Sequence, residues 1–229
     1  MEQLSLSQFD GKKLDGLVFC STAYSFLEKI RSFPGGLSSL RMRKTKAEKK
    51  LLEEILPICK YIQYKYRAGL YISVCWSSGN QNFDAETIQK GFYVEKGFYP
   101  KNGFLEVTCA VHPNDYLHRE LIDAGGISFG PGTLIRANDK TIHGAPIYYS
   151  GHEFIDDFSA IVLKAIAKKS AVPTRYPPNT TLIVACSLNR LYSHHEWQKL
   201  IEKIQSVLPE NNFSELFIYD QAQEYIASL

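Results

Sequence analysis

The sequence lacks the features that mark several large classes of protein. No apolar run approaches the roughly 20 residues that a membrane-spanning helix needs, so we expect no membrane partner. The first residues contain neither a basic segment nor the apolar block of a cleaved signal peptide. The five cysteines are scattered and form no CxxC pair, which argues against a disulfide framework or a zinc ribbon. We therefore expect a protein of the reducing cytoplasm.

The sequence also lacks a large excess of positive or negative charge. The 229 residues include 26 Lys and Arg against 24 Asp and Glu, a net charge of +2. This balance neither requires nor excludes nucleic acid as a partner, so the distribution of charge matters more than its sum. The hydrophobic content of 45% is sufficient for a sizeable core.

One segment is strongly basic. Residues 41–50 contain six basic residues and one acidic residue. The segment is a candidate for binding the phosphates of nucleic acid, although the solvated start of a helix gives the same pattern. The basic residues of this candidate surface are Arg41, Arg43, Lys44, Lys46, Lys49 and Lys50. We interpret residues 1–44 as an N-terminal extension or small subdomain, and residues 45–229 as an α/β domain.

Apolar spacing predicts the order of the elements in residues 45–229. A first helix begins with a capping box formed by Thr45 and Glu48, and Pro57 should kink or divide it. Three strands follow in succession, and after them helices and strands alternate. This order predicts a mixed β-sheet flanked by helices. The predicted strands are 70–76, one near 83, 104–111, 181–186 and 213–219, and the later helices are 154–171 and 195–208.

Two acidic residues are candidates for chemistry on these strands. Asp84 lies beside the second strand, and Glu106 lies within the third. Strand alternation directs Glu106 away from the side of Leu105 and Val107. Carboxylates on rigid elements are suitable ligands for magnesium. The alternative is that this strand has one solvated face, which Glu106 and Thr108 occupy.

The element order, Asp84 and the strand segment Glu106-Val107-Thr108 resemble the PD-(D/E)XK, or restriction-endonuclease-like, nuclease superfamily over about residues 45–220. The resemblance implies a restriction-endonuclease-like core of order α-β-β-β-α-β, here with an extra C-terminal α-β. It also implies metal-dependent hydrolysis of phosphodiester bonds in nucleic acid, with DNA as the expected substrate. A restriction-type role would imply a homodimer.

The resemblance assigns roles to particular residues. Asp84, Glu106 and the Val107 carbonyl would hold Mg²⁺ or Mn²⁺. Thr108 stands where the family has a lysine, and its hydroxyl can orient a water but supplies no positive charge. A lysine from elsewhere would then be needed, with Lys168, Lys169 and Lys101 as candidates. The catalytic set expected from the resemblance is Asp84, Glu106, Thr108, Glu48 and Lys168.

Two residues of this set leave alternatives open. Glu48 either orients groups of the site from the first helix or only caps that helix. Because Thr108 stands in place of the family lysine, the alternative is a non-catalytic protein of the same fold. Such a protein would bind nucleic acid or protein through a degenerate site. A hydrolase of some other small phosphate ester is a third hypothesis.

Overall fold

The computed structural model describes residues 5–128, 130–144, 151–171, 176–188, 193–222 and 225–229. In these residues, helices cover both faces of a seven-stranded mixed sheet, and a separate two-stranded sheet lies beside it. The α/β architecture with a central mixed sheet, predicted from the order of the elements, is confirmed.

The described strands are β1 Lys13–Asp15, β2 Tyr71–Trp76, β3 Ala85–Lys90, β4 Asn102–Ala110, β5 Leu134–Arg136, β6 Ile142–Gly144, β7 Thr180–Cys186, β8 Glu215–Asp220 and β9 Ile226–Ser228. The described α-helices are α1 Gly16–Ser32, α2 Gly36–Met42, α3 Lys46–Lys50, α4 Leu56–Lys65, α5 Phe92–Glu95, α6 Asp115–Asp123, α7 Gly151–Ser170 and α8 His194–Ser206.

The large sheet has the order β1-β2-β3-β4-β7-β8-β9. Strands β1 to β4 pair antiparallel, whereas β4, β7 and β8 pair parallel, and β9 returns antiparallel to β8. Strand β4 is therefore where the antiparallel part meets the parallel part. The succession α4, β2, β3, β4, α7, β7, α8, β8 follows the predicted order. Helix α6 and the hairpin β5–β6, which the sequence did not predict as a unit, are inserted between β4 and α7.

Each face of the large sheet has its own hydrophobic core. Helices α1 and α4 pack on the face that carries Leu105 and Val107 of β4. Helices α7 and α8 pack on the opposite face, which carries Leu182 and Val184 of β7 and Ala110 of β4. Alternate residues of β4 therefore point toward different helix layers, as the pleat of a strand requires.

Residues 5–44 belong to the same sheet and core as the rest of the described chain. Strand β1 pairs with β2, and Phe19, Ala23 and Ile30 of α1 are buried in the core cluster that includes Ile58 and Val74. The division placed after residue 44 therefore does not separate two packing units. The sequence analysis placed a boundary here because Pro34, Gly35 and Gly36 break the chain after a short helical pattern.

The first predicted helix is one helical run in three parts. A π-helical turn, Leu51–Ile55, joins α3 to α4, and Pro57 lies in the first turn of α4. A π turn inserts one extra residue into a helix, and Pro57 has no N–H to give to the helical ladder. The predicted division near Pro57 is thus present as a change of helical register.

None of the helices within the described ranges combines the length and the apolar character that crossing a membrane requires.

Candidate functional site

Asp84 and Glu106 lie opposite each other on neighbouring strands. Strands β3 and β4 pair with Ala85 opposite Leu105, and this register, extended by one residue, places Asp84 opposite Glu106. The backbone N–H of Asp84 donates to the Leu105 carbonyl at 2.8 Å, which extends the ladder to this point. Directly opposed residues in antiparallel strands have Cβ atoms about 4.5–5.5 Å apart. The structure therefore brings the two predicted acidic residues together.

Glu106 is a buried charge with a paired cation. It is 4% exposed and shares its register position with Leu182, on the face covered by α7. The Lys169 amine, near the C-terminal end of α7, donates a hydrogen bond to Glu106 Oε1. The Tyr176 hydroxyl donates to the same oxygen at 3.4 Å. Without such partners a carboxylate at this depth would be strongly destabilising.

Asp84 is a half-buried acid whose neighbours include other negatively charged side chains. Its Oδ2 accepts a hydrogen bond from the Val107 N–H at 2.7 Å. Burial, together with the negative charges of Glu106 and Glu54, raises the pKa of Asp84 to about 7. The Val107 N–H and the Lys169 ammonium act in the opposite direction. The carboxyl therefore exchanges a proton near neutral pH, and a cation placed beside it would favour its ionised form.

Glu54 is a further acid whose negative charge raises the pKa of Asp84, and the sequence did not predict it. It lies on the π-helical turn, where its Oε2 accepts from the Trp76 indole at 3.2 Å and lies 3.7 Å from Lys50 Nζ. Burial raises the pKa of Glu54 above its ordinary value. Helical periodicity missed this residue because it assumes about 3.6 residues per turn, and the π turn alters which side chains reach the sheet.

Glu48 takes the structural one of its two predicted roles, that of capping α3. Its carboxylate accepts from the Thr45 N–H at 2.8 Å, while the Glu48 N–H donates to Thr45 Oγ1 at 3.1 Å, so the predicted capping box is confirmed. Glu48 is 1% exposed, and its second oxygen accepts from the Ser39 hydroxyl. Both oxygens are therefore used in holding α3 to the segment that precedes it.

Lys168, the lysine expected in the catalytic set, is not the one that contacts Glu106. It is exposed on α7, and the adjacent Lys169 is the lysine that reaches Glu106. Successive helical residues differ by about 100° in direction, so only one of two neighbours can face the sheet. Thr108 is half-buried and, two residues after Glu106, shares its face of β4. Lys169 thus places a positive charge next to Glu106.

Asp84, Glu106 and the Val107 carbonyl are the oxygen groups here that could contact a divalent ion. In a strand, the N–H and C=O of one residue point to the same side, so the Val107 carbonyl is directed toward the side of Asp84. Across the described ranges, no three His, Cys, Asp or Glu side chains form a group that could hold a metal ion. A cation would therefore have two carboxylates, Asp84 and Glu106, and the Val107 carbonyl. Magnesium is commonly held by one or two carboxylates, with water and phosphate oxygens completing its shell.

Half of the predicted basic surface is used in internal ion pairs. Arg41 pairs with Asp123 of α6 at 3.0 Å, and Arg43 pairs with Glu53 at 2.5 Å. Lys50 pairs with Glu54, and its Nζ lies 5.2 Å from the centre of the Trp76 ring. These three basic residues therefore hold α2 and the first helical run in place.

The other half of that surface is more accessible. Lys44 donates to the Ser38 hydroxyl at 3.1 Å, and Lys49 lies 4.0 Å from Glu53 with most of its side chain exposed. Lys46 is exposed. Three basic residues are thus left for an external partner, fewer than the sequence suggested.

Comparisons of the chain with protein-family models, with curated proteins and with solved structures find no match. A function can therefore be proposed only from the geometry of the residues around Asp84 and Glu106.

Proposed function

We propose that this protein is a metal-dependent nuclease that hydrolyses phosphodiester bonds of nucleic acid, with DNA as the expected substrate. One observation carries the proposal: Asp84 and Glu106 face each other across β3 and β4, and a lysine contacts one of them. The same arrangement is what the resemblance to the PD-(D/E)XK superfamily implies for its two acidic residues.

Each residue of the site has a distinct part in the proposed reaction. Asp84, Glu106 and the Val107 carbonyl would hold Mg²⁺ or Mn²⁺. When bound, such an ion neutralises charge on the phosphate oxygens and lowers the pKa of an attacking water. Lys169 supplies a fixed positive charge beside these acids, and its side chain is 24% exposed, so a phosphate can approach it from solvent. Thr108, on the same strand face, can orient a water through its hydroxyl.

The competing proposal is a non-catalytic protein of the same fold that binds nucleic acid or protein. Thr108 in place of the family lysine favours it. The pairing of Asp84 with Glu106 favours the nuclease, whereas Lys169 is compatible with both proposals because a buried Glu106 needs a counter-charge in either case. A test on the intact chain separates the two.

The test is the conversion of supercoiled plasmid to nicked and linear forms, with Mg²⁺, with Mn²⁺ and with a chelator. We expect metal-dependent cleavage that falls at least about 100-fold in Asp84→Asn, Glu106→Gln and Lys169→Met. Lys168→Met is the matched control, since it removes the neighbouring lysine that points to solvent, and it should cleave within about twofold of wild type. Equal cleavage by all variants, or none by the wild type with either metal, would remove the nuclease proposal.

Two further features belong to this proposal. We propose that the protein works in a reducing compartment such as the cytoplasm, in keeping with five cysteines that are all free thiols. Cutting both strands of a duplex at one place would use two copies of the chain, so we also propose a homodimer. Sedimentation at cleavage concentrations tests the dimer independently of the chemistry.

A further inference from the structure

The turn between β3 and β4 exposes two aromatic rings, each of which also contacts the ring of Tyr93 within the fold. Phe92 is 54% exposed and Phe98 is 70% exposed. Their neighbours Tyr93 and Tyr99 pack against the core cluster under α1 and α4, with ring centres 6.3 Å apart. The tyrosines therefore anchor the turn, and the phenylalanines remain available to a partner.

The charges around these rings are mostly positive. The exposed charged residues of segment 90–101, together with Arg67 on the adjacent turn, comprise four basic residues and one acidic residue. Their sum of +3 exceeds the net charge of +2 of the whole chain, so the remaining residues sum to −1. These residues are Arg67, Lys90, Lys96 and Lys101, opposed by Glu95.

The basic side chains lie close to the rings. Lys96 Nζ is 5.7 Å from the centre of the Phe92 ring, and the Arg67 guanidinium is 5.8 Å from the centre of the Tyr99 ring. A base stacked on Phe92 or Phe98 would thus have its phosphate within reach of an ammonium group. Exposed rings flanked by cations are the arrangement with which proteins bind unpaired strands without sequence preference.

We infer that this surface, made of Phe92, Phe98, Lys90, Lys96 and Lys101 and called here the turn platform, binds single-stranded nucleic acid. Bases stack on Phe98 and Phe92, and the lysines bind the phosphates. A duplex would not offer its base faces to these rings, so the platform selects unpaired segments.

Strand β3 connects the turn platform to the acidic pair. Six residue steps separate Asp84 from Lys90 along β3, about 20 Å at 3.3–3.4 Å per step. A stacked strand rising about 3.4 Å per nucleotide covers that distance in about six nucleotides. The role of the platform in presenting a strand to the site rests on the proposed function, whereas binding by the platform does not.

The experiment measures fluorescence anisotropy of labelled oligothymidylate and oligouridylate of about 12 nucleotides, in chelator and about 50 mM salt. We expect the double variant Phe92→Ala/Phe98→Ala to bind at least about tenfold more weakly than wild type. Phe33→Ala is the matched control, because Phe33 is 51% exposed and lies elsewhere, and it should bind as wild type does. Phe98→Trp should retain binding, and quenching of the new indole by the oligonucleotide would report stacking directly.

Several results would overturn the inference. The first is that the wild-type protein binds neither oligonucleotide. The second is that the double variant binds as tightly as the wild type. The third is that the protein binds anionic lipid vesicles and not the oligonucleotides. Binding without any cleavage upholds the platform and removes the nuclease. Metal-dependent cleavage of plasmid, together with oligonucleotide binding that the Phe92 and Phe98 substitutions do not change, upholds the nuclease and removes the platform.

Discussion

Lys169 of α7 donates a hydrogen bond to Glu106 of β4, and this contact joins a helix layer to the centre of the sheet. Glu106 is almost fully buried, whereas Lys169 retains access to solvent. The pair therefore has two effects at once: it makes a buried carboxylate tolerable, and it fixes a positive charge at the edge of the acidic site.

Removing that lysine should destabilise the fold. We expect Lys169→Met to lower the free energy of unfolding by about 2–4 kcal/mol, because Glu106 would remain buried without its counter-charge. Urea denaturation measures the change. Lys168→Met should change stability by less than about 0.5 kcal/mol, since that side chain is exposed. The double variant Glu106→Gln/Lys169→Met should be more stable than Lys169→Met alone, and the opposite order would contradict this account.

The stability of the metal-free protein should depend on Asp84 and on pH. Its folded pKa of about 7 is above the ordinary value of 3.8, so the folded state binds more protons between these two values. The contribution of Asp84 to stability therefore falls as pH rises from about 4 to about 7 and stays unfavourable above that. Asp84→Asn should raise the melting temperature by a few degrees at pH 8 and have little effect at pH 4. Thermal melts at both pH values test this, and an equal effect at each would contradict it.

Magnesium should act on the same carboxyl. A divalent ion that binds ionised Asp84 would raise the melting temperature of wild type at pH 8, and this gain should shrink as pH falls below about 7. Asp84→Asn should lose most of the gain. A magnesium effect of the same size in both proteins would place the ion elsewhere.

The negative charge of Glu54 should affect the pKa of Asp84 and not its position. We expect Glu54→Gln to lower the pKa of Asp84, because it removes a negative charge while keeping an acceptor for the Trp76 indole. Carboxyl carbon chemical shifts followed against pH report the titration. Glu53→Gln is the control, since the Glu53 carboxylate faces Arg43. An unchanged Asp84 titration in Glu54→Gln would show that the two acids do not interact.

Glu48 should affect stability and leave cleavage alone. Glu48→Ala removes the acceptor for the Thr45 N–H and the Ser39 hydroxyl, and we expect a loss of about 1–2 kcal/mol. Glu28→Ala, at an exposed ion pair with Arg31, should cost far less. Chemical denaturation and plasmid cleavage are measured together, and a folded Glu48→Ala protein that no longer cleaves would return Glu48 to the site.

The sequence predicted the mixed sheet and singled out Asp84 and Glu106 as candidates, and the pairing of β3 with β4 shows that they are neighbours. Alternation within β4 set Glu106 apart from Leu105 and Val107, and the order of elements made Asp84 its neighbour. The choice between Lys168 and Lys169 depended on the rotation of α7 against the sheet, which spacing along one helix does not determine. Glu54 was hidden by the π turn, and the ion pairs of Arg41 and Arg43 involve partners on other elements.

The change of pairing direction at β4 has a consequence for biosynthesis. Asp84 and Glu106 are both made before the first residue of the parallel strands β7 and β8, and so is the antiparallel part of the sheet that aligns them. Lys169 is made later and reaches Glu106 only when α7 covers that face. In a nascent chain on the ribosome Glu106 would therefore lack its counter-charge, and closure of the second layer would supply it.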